Sequence, residues 1–125
     1  MTTYPRTHAL MRRGAEFLGS EHAILCGAMS WVSERNLVSA ISNAGGFGVI
    51  ACGAMTPDLL DAEITATRAL TDKPFGVNLI TMHPQLTDLI AVCGRHGADG
   101  ARGPDRRRSG CLARLHGAEP PADRL

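Results

Sequence analysis

Short apolar runs alternate with amphipathic stretches through most of the chain. The first run, Ala23–Cys26, and the second run, Gly48–Ala51, are separated by a small-residue loop and the helical stretch Trp31–Asn43. Both runs are continuously apolar, which is typical of strands that are buried on both faces of a parallel sheet. A strand, a helix and a second strand in this order predict a βαβ unit.

The same alternation continues beyond the second strand. A capping hydroxyl, a proline and an acid follow one another in Thr56-Pro57-Asp58, which predicts the start of a helix that ends near Leu70. A third strand is predicted over Phe75–Ile80, and Pro84 opens a third helix. The apolar residues of that helix recur at helical spacing, at Leu86, Leu89, Ile90 and Cys93.

The loop after the first strand carries the candidate chemistry. It consists of Gly27, Ala28, Met29 and Ser30. Ligands of parallel α/β folds bind at the carboxyl ends of the strands, where this loop lies. Small residues let a flat ligand approach the backbone, and N–H groups near the next helix can donate to it. Spacing alone does not exclude a tight turn that binds nothing.

A second glycine-rich stretch, Gly46–Ala51, matches the pattern G-x-G-x-x-A of dinucleotide sites. Such a site requires the order strand, glycines, helix, whereas the order here is helix, glycines, strand. We interpret Gly45 as the residue beyond a helix carboxyl terminus, where φ is positive. The sequence therefore predicts that these glycines lie at the amino ends of the strands and bind no dinucleotide.

Three further side chains have competing interpretations, and a fourth is assigned to a helix cap. Asn78 interrupts an apolar strand, so its amide is either satisfied by neighbouring backbone or recognises a flat heterocycle. Trp31 is interpreted as core packing in preference to a ligand contact, and His83 as an exposed loop residue in preference to a proton donor. Ser33 is the predicted N-cap of the first helix of the βαβ unit.

Composition limits the class of protein. A chain of 125 residues with a net charge of +1 and 4% aromatic residues is one domain at most and offers little to nucleic acids or membrane surfaces. No apolar run approaches the ~18 residues that span a bilayer. The cysteines lack metal-site spacing, which favours reduced thiols and a cytoplasmic location; they are Cys26, Cys52, Cys93 and Cys111.

Three motifs in order resemble one known family. Gly27–Val32, Ser42–Gly48 and Asp72–Asn78 look like the nitronate monooxygenase family, formerly 2-nitropropane dioxygenase, which includes the flavin-dependent enoyl-acyl-carrier-protein reductases. The resemblance covers residues from about 17 to 96. It implies an α/β fold, the first three βα units of a TIM (β/α)8 barrel, followed by an irregular tail.

The resemblance also implies a cofactor and an activity. FMN would be contacted by Gly27–Ser30 and by Asn78, and alkyl nitronates would be oxidised with oxygen. The alternative activity is an enoyl-acyl-carrier-protein reductase that uses FMN and NAD(P)H. The catalytic histidine of the family stands in a later Gly-Gly-His segment, so no residue here is assigned a catalytic role.

The chain changes character after the third helix, which is predicted to end near Gly94 or Gly97. Residues 98–125 contain no Val, Ile, Thr, Phe, Tyr or Trp, so no fourth strand is expected. Their Ala, Gly, Arg and Pro content is typical of GC-rich DNA translated in the wrong frame. We divide the chain into 1–97, the barrel portion, and 98–125, a frameshifted or disordered tail.

Two alternatives to a flavin-dependent enzyme stay open. The chain is either a non-catalytic fragment that self-associates through strand edges or a small interaction module.

Overall fold

A computed structural model describes residues 4–100 and 111–115. The strands form one parallel sheet in the order β1-β2-β3-β4. A helix follows each of the first three strands, and a further helix precedes the sheet. The elements are α1 (Pro5–Leu18), β1 (Leu25–Cys26), α2 (Arg35–Asn43), β2 (Phe47–Ala51), α3 (Pro57–Leu70), β3 (Phe75–Leu79), α4 (Leu86–Gly100) and β4 (Cys111–Leu115).

The α3 helix begins and ends where its sequence predicts. The Thr56 hydroxyl accepts a hydrogen bond from the Leu59 N–H at 3.3 Å, Pro57 occupies the first turn, and Leu70 is the last residue. A hydroxyl cap satisfies one of the N–H groups that the first helical turn leaves without a partner. Local sequence is sufficient at this boundary because all three signals agree.

The α2 helix starts four residues later than predicted. Its N-cap is Glu34, whose carboxylate accepts from the N–H groups of Asn36 and Leu37. The predicted start, Trp31, has a φ of 63°, which an α-helix does not accommodate. The predicted cap, Ser33, bonds to the preceding loop instead.

The glycine cluster after α2 closes the helix as predicted. Gly45 has a φ of 89°, and its N–H donates to the Ser42 carbonyl while the Gly46 N–H donates to the Ile41 carbonyl. This pair of bonds is a Schellman motif, which satisfies the last carbonyls of the helix. The cluster therefore lies at the amino ends of the strands.

The hydrophobic core lies between one face of the sheet and the helices α2, α3 and α4. Register pairs Gly48 with Phe75 and Ile50 with Val77, so these residues share a face. Complete burial of a Leu, Ile or Val side chain contributes about 1.5–3 kcal/mol each. The largest fully buried side chains are Ile50, Leu60, Ile64, Leu79, Leu89, Val38, Val77 and Val92.

The first three βα units confirm the predicted α/β fold, but the expectation of no fourth strand is wrong. Cys111–Leu115 pairs in parallel with Phe75–Leu79. Strand formation depends on context more than on residue type, and the edge of β3 offers unpaired backbone groups to any extended segment. The third helix also continues to Gly100, beyond its predicted end. The predicted disorder or frameshift otherwise falls on 101–110 and 116–125, outside the described residues.

Candidate functional site

The predicted site residues meet at one edge of the sheet. The loop Gly27–Ser30 directly follows β1, and Asn78 is the penultimate residue of β3. The strand β2 lies between them, and Ala51 at its carboxyl end is in register with Asn78. Neighbouring strands are about 4.8 Å apart, so the loop and the amide are separated by about 10 Å. A planar ring system can therefore contact both.

The loop after β1 is folded into a compact turn by Ser33. The Ser33 hydroxyl accepts from the Met29 N–H at 3.0 Å and donates to the Gly27 carbonyl at 3.3 Å. The N–H groups of Val32 and Ser33 both donate to the Met29 carbonyl. The Ala51 N–H donates to the Ser33 carbonyl at 3.1 Å, which joins the loop to the end of β2. The loop is thus shaped before any ligand binds.

Three backbone donors in this loop and directly after it have no acceptor in the described part of the chain. Within residues 4–100 and 111–115, the N–H groups of Ala28, Ser30 and Trp31 donate to no other group. Space also remains open beside Gly27, where an added Cβ would meet no atom within 4 Å. Free N–H groups beside open space are suited to bind the polar edge of a flat ligand. This donor set fits the ring of a flavin.

The Asn78 side chain lies on the sheet face that carries no helix. Phe75, Val77 and Leu79 belong to the core, and side chains alternate along a strand, so Gly76 and Asn78 point to the opposite face. Asn78 is half-buried. Its side-chain amide has no hydrogen-bond partner among the described residues. An amide carries both donors and an acceptor, which suits a heterocycle with paired groups.

Trp31 is not a core residue, contrary to the favoured interpretation of its sequence. Its side chain is 74% exposed, and its φ of 63° is the one positive value among the non-glycine residues of the described ranges. A bulky residue in the left-handed region is strained. Strain of this kind persists where surrounding bonds fix the backbone, as those of Ser33 do here.

Cys52 lies at the carboxyl end of β2, next to the site but directed into the core. Its Sγ donates to the Asn78 carbonyl at 2.7 Å. Burial, with a smaller contribution from nearby Cys93, raises the pKa of the Cys52 thiol to about 11. The thiol is therefore protonated at neutral pH and is a structural donor, not a nucleophile.

An ion pair fixes the start of α2 against α3. The Glu63 carboxylate, 6% exposed, accepts from the backbone N–H and the guanidinium of Arg35. These bonds, the side-chain bond foremost, hold the pKa of Glu63 below its ordinary value. The pair anchors the helix that follows the site loop. Neither Glu63 nor Ser33 was identified from sequence as part of the site, because each acts through tertiary contacts that no local pattern encodes.

The described residues show no support for a role of His83 in proton transfer, for a metal site or for a membrane-spanning helix. His83 Nδ1 accepts from the Gln85 N–H at 3.1 Å, so the ring serves the turn before α4. No group of His, Cys, Asp and Glu side chains in the described part of the chain could hold a metal ion. Over the same residues, no helix is both long enough and apolar enough to cross a membrane.

Comparison with known families places the chain. The family model described as nitronate monooxygenase matches residues 12–99. The chain belongs to the nitronate monooxygenase family. Its members are in general flavin-dependent oxidoreductases. The match extends the predicted resemblance by a few residues at each end, and it stops before β4.

Similar proteins include two curated enzymes. The chain is 44% identical over 82 residues to (3aS,4S,5R,7aS)-5-hydroxy-7a-methyl-1-oxo-octahydro-1H-indene-4-carboxyl-CoA dehydrogenase from Mycobacterium tuberculosis, which covers 66% of this chain and 23% of that protein. It is 42% identical over 71 residues to a nitronate monooxygenase from Paraburkholderia phytofirmans, covering 57% of this chain and 19% of that one.

A solved structure shares the fold. FabK from Thermotoga maritima superimposes with a TM-score of 0.63 at 48% identity, over 65% of this chain and 26% of that one. The chain thus spans about a quarter of the length of these relatives. The likeness places its three βα units at the start of a TIM-barrel enzyme.

Proposed function

We propose that this chain forms the first part of the FMN site in a flavin-dependent oxidoreductase of the nitronate monooxygenase type. Such an enzyme oxidises alkyl nitronates with oxygen. The observation that carries the proposal is the pairing, at one sheet edge, of the Ala28 and Ser30 N–H groups with the Asn78 amide, none of which has a hydrogen-bond partner among the described residues. Membership of a flavin-dependent family supports the same cofactor.

Each site residue has a distinct role in the proposal. The N–H groups of Ala28 and Ser30 donate to the polar edge of the flavin ring, and Gly27 admits the ring to the backbone. The Met29 side chain, 45% exposed, packs against it, and the Asn78 amide pairs with ring donors and acceptors. FMN supplies the redox chemistry when bound, while the protein positions and tunes it. We assign the catalytic proton transfer to no described residue.

The chain is proposed to act as a portion of a larger barrel. The matched part of the chain covers only about a quarter of the length of its relatives, and the phosphate of a TIM-barrel ligand is usually held by loops near strands seven and eight. The four strands described leave the outer edges of β1 and β4 without partners among the described residues. Open edges favour pairing with another chain, so self-association is expected.

A reductase is the second candidate. An enoyl-acyl-carrier-protein reductase would use FMN and NAD(P)H on an enoyl thioester, and the high identity to FabK favours this branch of the family. The dehydrogenase relative is named for a CoA thioester substrate, which makes a thioester as reasonable a small-molecule substrate as a nitronate. Oxidation of NAD(P)H that depends on an enoyl thioester would separate this candidate from nitronate oxidation.

A non-catalytic role belongs to a different class of function. A fragment that associates through its edges would be colourless and oligomeric, and an interaction module with a basic tail would bind nucleic acid with strong dependence on salt. The near-neutral charge of the chain disfavours the second. We propose a cytoplasmic location, because Cys26 and Cys52 are free thiols and structural disulfides are rare in the cytosol.

Flavin retention tests the proposal. The full chain is purified, and its absorbance is recorded over the range of the flavin bands, about 350–500 nm. FMN is then titrated into the protein. Analytical ultracentrifugation of the same sample gives the oligomeric state. Saturable binding that is weakened about tenfold in Asn78→Ala and unchanged in the exposed amino-edge variant Asp72→Asn would support the site. A folded protein of any oligomeric state that binds no FMN would contradict it.

A further inference from the structure

We infer that Ser33 is the positioning residue that holds the loop Gly27–Ser30 in the shape required for flavin binding. The inference rests on the proposed function. Ser33 lies outside the motif residues that contact the ligand in that proposal, and its side chain is 2% exposed. It therefore acts on the cofactor through the loop, not by contact.

The bonds of Ser33 account for most of the loop geometry. Its hydroxyl joins the Gly27 carbonyl to the Met29 N–H, at 3.3 Å and 3.0 Å. Its own N–H donates to the Met29 carbonyl at 2.8 Å, and its carbonyl accepts from the Ala51 N–H. One buried residue thus joins the beginning of the loop, its middle and the neighbouring strand.

These bonds also decide which loop groups face a ligand. The hydroxyl occupies the Met29 N–H, so that donor is not available to FMN. The N–H groups of Ala28, Ser30 and Trp31, on either side of it, have no acceptor in residues 4–100 and 111–115. Without the hydroxyl, the Met29 N–H and the Gly27 carbonyl would seek new partners, and the three free donors would lose their fixed arrangement.

The backbone of Trp31 reports on the same constraint. It lies between Met29 and Ser33, inside the turn that the Ser33 bonds close. Its φ of 63° is unfavourable for a bulky residue, and such a conformation is kept only when neighbouring bonds determine it. Loss of the hydroxyl would therefore free the Trp31 side chain to move.

The chain contains a matched control for a purely structural role. Ser42 is 1% exposed, and its hydroxyl also bridges two backbone groups, donating to the Pro74 carbonyl at 3.0 Å and accepting from the Gly48 N–H at 3.3 Å. Ser42 lies at the amino ends of the strands, away from the site loop. Removing either hydroxyl costs a comparable pair of buried bonds, and only one of the two shapes the loop.

The test compares Ser33→Ala with Ser42→Ala in the full chain. We expect both variants to lower the thermal midpoint by similar amounts. Ser33→Ala should weaken FMN binding about tenfold or more, and Ser42→Ala should change it less than twofold. Ser33→Thr, which retains the hydroxyl, should restore most of the affinity. Ser33→Cys, with a weak acceptor of similar size, replaces Ser33→Ala if the latter does not fold.

A second readout needs no cofactor. Trp31 is the single tryptophan of the chain, so its fluorescence anisotropy reports the mobility of the loop. We expect the anisotropy to fall in Ser33→Ala and to stay unchanged in Ser42→Ala. Equal FMN affinities and equal anisotropies in the two variants would overturn the inference. If the unaltered protein binds no FMN, the proposed function fails, while the anisotropy still decides whether Ser33 holds the loop.

Discussion

The two edges of the sheet carry similar glycine-rich stretches with opposite physical character. At the amino edge, Gly45 and Gly46 donate into the end of α2, and Gly48 packs against Val38 so closely that a Cβ would lie 2.6 Å from its carbonyl oxygen. At the carboxyl edge, Gly27 faces open space, and the neighbouring N–H of Ala28 has no acceptor among the described residues.

The difference shows what distinguishes a structural glycine cluster from a binding loop. Both stretches are small-residue runs beside a strand, and the amino-edge run even matches a dinucleotide pattern. At the amino edge, the N–H groups of Gly45, Gly46 and Gly48 are already bonded, so this glycine cluster offers no free backbone donor to a ligand. At the carboxyl edge, N–H groups without an acceptor among the described residues lie beside the strained Trp31 backbone, where parallel α/β folds bind their ligands.

The largest expected effect is a loss of stability when a methyl group is added at the amino edge, compared with the same addition at the carboxyl edge. Gly48→Ala places a Cβ against the backbone of α2, at 2.6 Å and 2.9 Å from Val38 atoms, and should destabilise the fold by about 1–3 kcal/mol or more. Gly27→Ala meets no atom within 4 Å and should change stability by less than about 0.5 kcal/mol. Chemical denaturation measures both.

The same pair of variants separates stability from binding. Gly27→Ala should weaken FMN binding, because the methyl group occupies the space through which the ring approaches the backbone. A stable Gly27→Ala protein with unchanged FMN affinity would remove Gly27 from the site. A Gly48→Ala protein as stable as the unaltered chain would contradict the closed character of the amino edge.

The next effect concerns the amide at the carboxyl edge. Asn78→Ala removes a side chain that has no hydrogen-bond partner among the described residues, so the folded protein loses little stability. We expect FMN affinity to fall about tenfold, since one to two hydrogen bonds of about 1 kcal/mol each are lost. Isothermal titration measures the affinity. A drop in stability with unchanged affinity would instead assign the amide to the fold.

A smaller effect should come from relieving strain at the carboxyl edge. Trp31→Gly removes the penalty of a left-handed bulky residue, and the 74% exposed side chain contributes little burial. The net gain should be about 0.5–1 kcal/mol after the greater entropy of an unfolded glycine is subtracted. Trp31→Ala serves as the control, because alanine keeps most of the strain. Equal stability of the two variants would show that the backbone is not strained.

The smallest effect is a pH dependence. Arg35 lowers the pKa of Glu63 from its ordinary 4.5, chiefly through the side-chain hydrogen bond. A lowered folded-state pKa stabilises the native protein fully above pH 4.5, and this contribution is lost as the pH falls through the folded-state value. We expect the thermal midpoint to decline below pH 4.5 less steeply in Glu63→Gln than in the unaltered chain. If the thermal midpoints of the two proteins fall in parallel as the pH is lowered, protonation of Glu63 is not what destabilises the fold.

The sequence predicted elements well where local signals agreed. The start of α3 carries three signals in adjacent residues, and Gly45 ends α2 by a conformation that few other residues adopt. The order of helix, glycines and strand correctly placed the glycine cluster at the amino ends of the strands. The apolar runs correctly predicted three parallel strands because buried strands lack alternation.

The rest depended on contacts that are remote in sequence. Ser33 resembles an N-cap locally, yet Glu34 competes for that position and the serine bonds to the loop. Trp31 was assigned to the core because large aromatic residues are usually buried, but the turn before α2 directs its side chain into solvent. The strand Cys111–Leu115 lacks strand-forming residues and depends on the free edge of β3. The flavin roles of Gly27–Ser30 and Asn78 stay predictions.

The most direct test of the account is a 15N–1H correlation spectrum of the full chain recorded with and without FMN. We predict saturable shifts of the Ala28, Ser30 and Trp31 amide signals and of the Asn78 side-chain amide. The Gly45 and Gly46 signals, whose N–H groups are already bonded, should not move. Shifts confined to the amino-edge glycines, or no shifts at saturating FMN, would contradict the claim that the carboxyl edge binds the flavin.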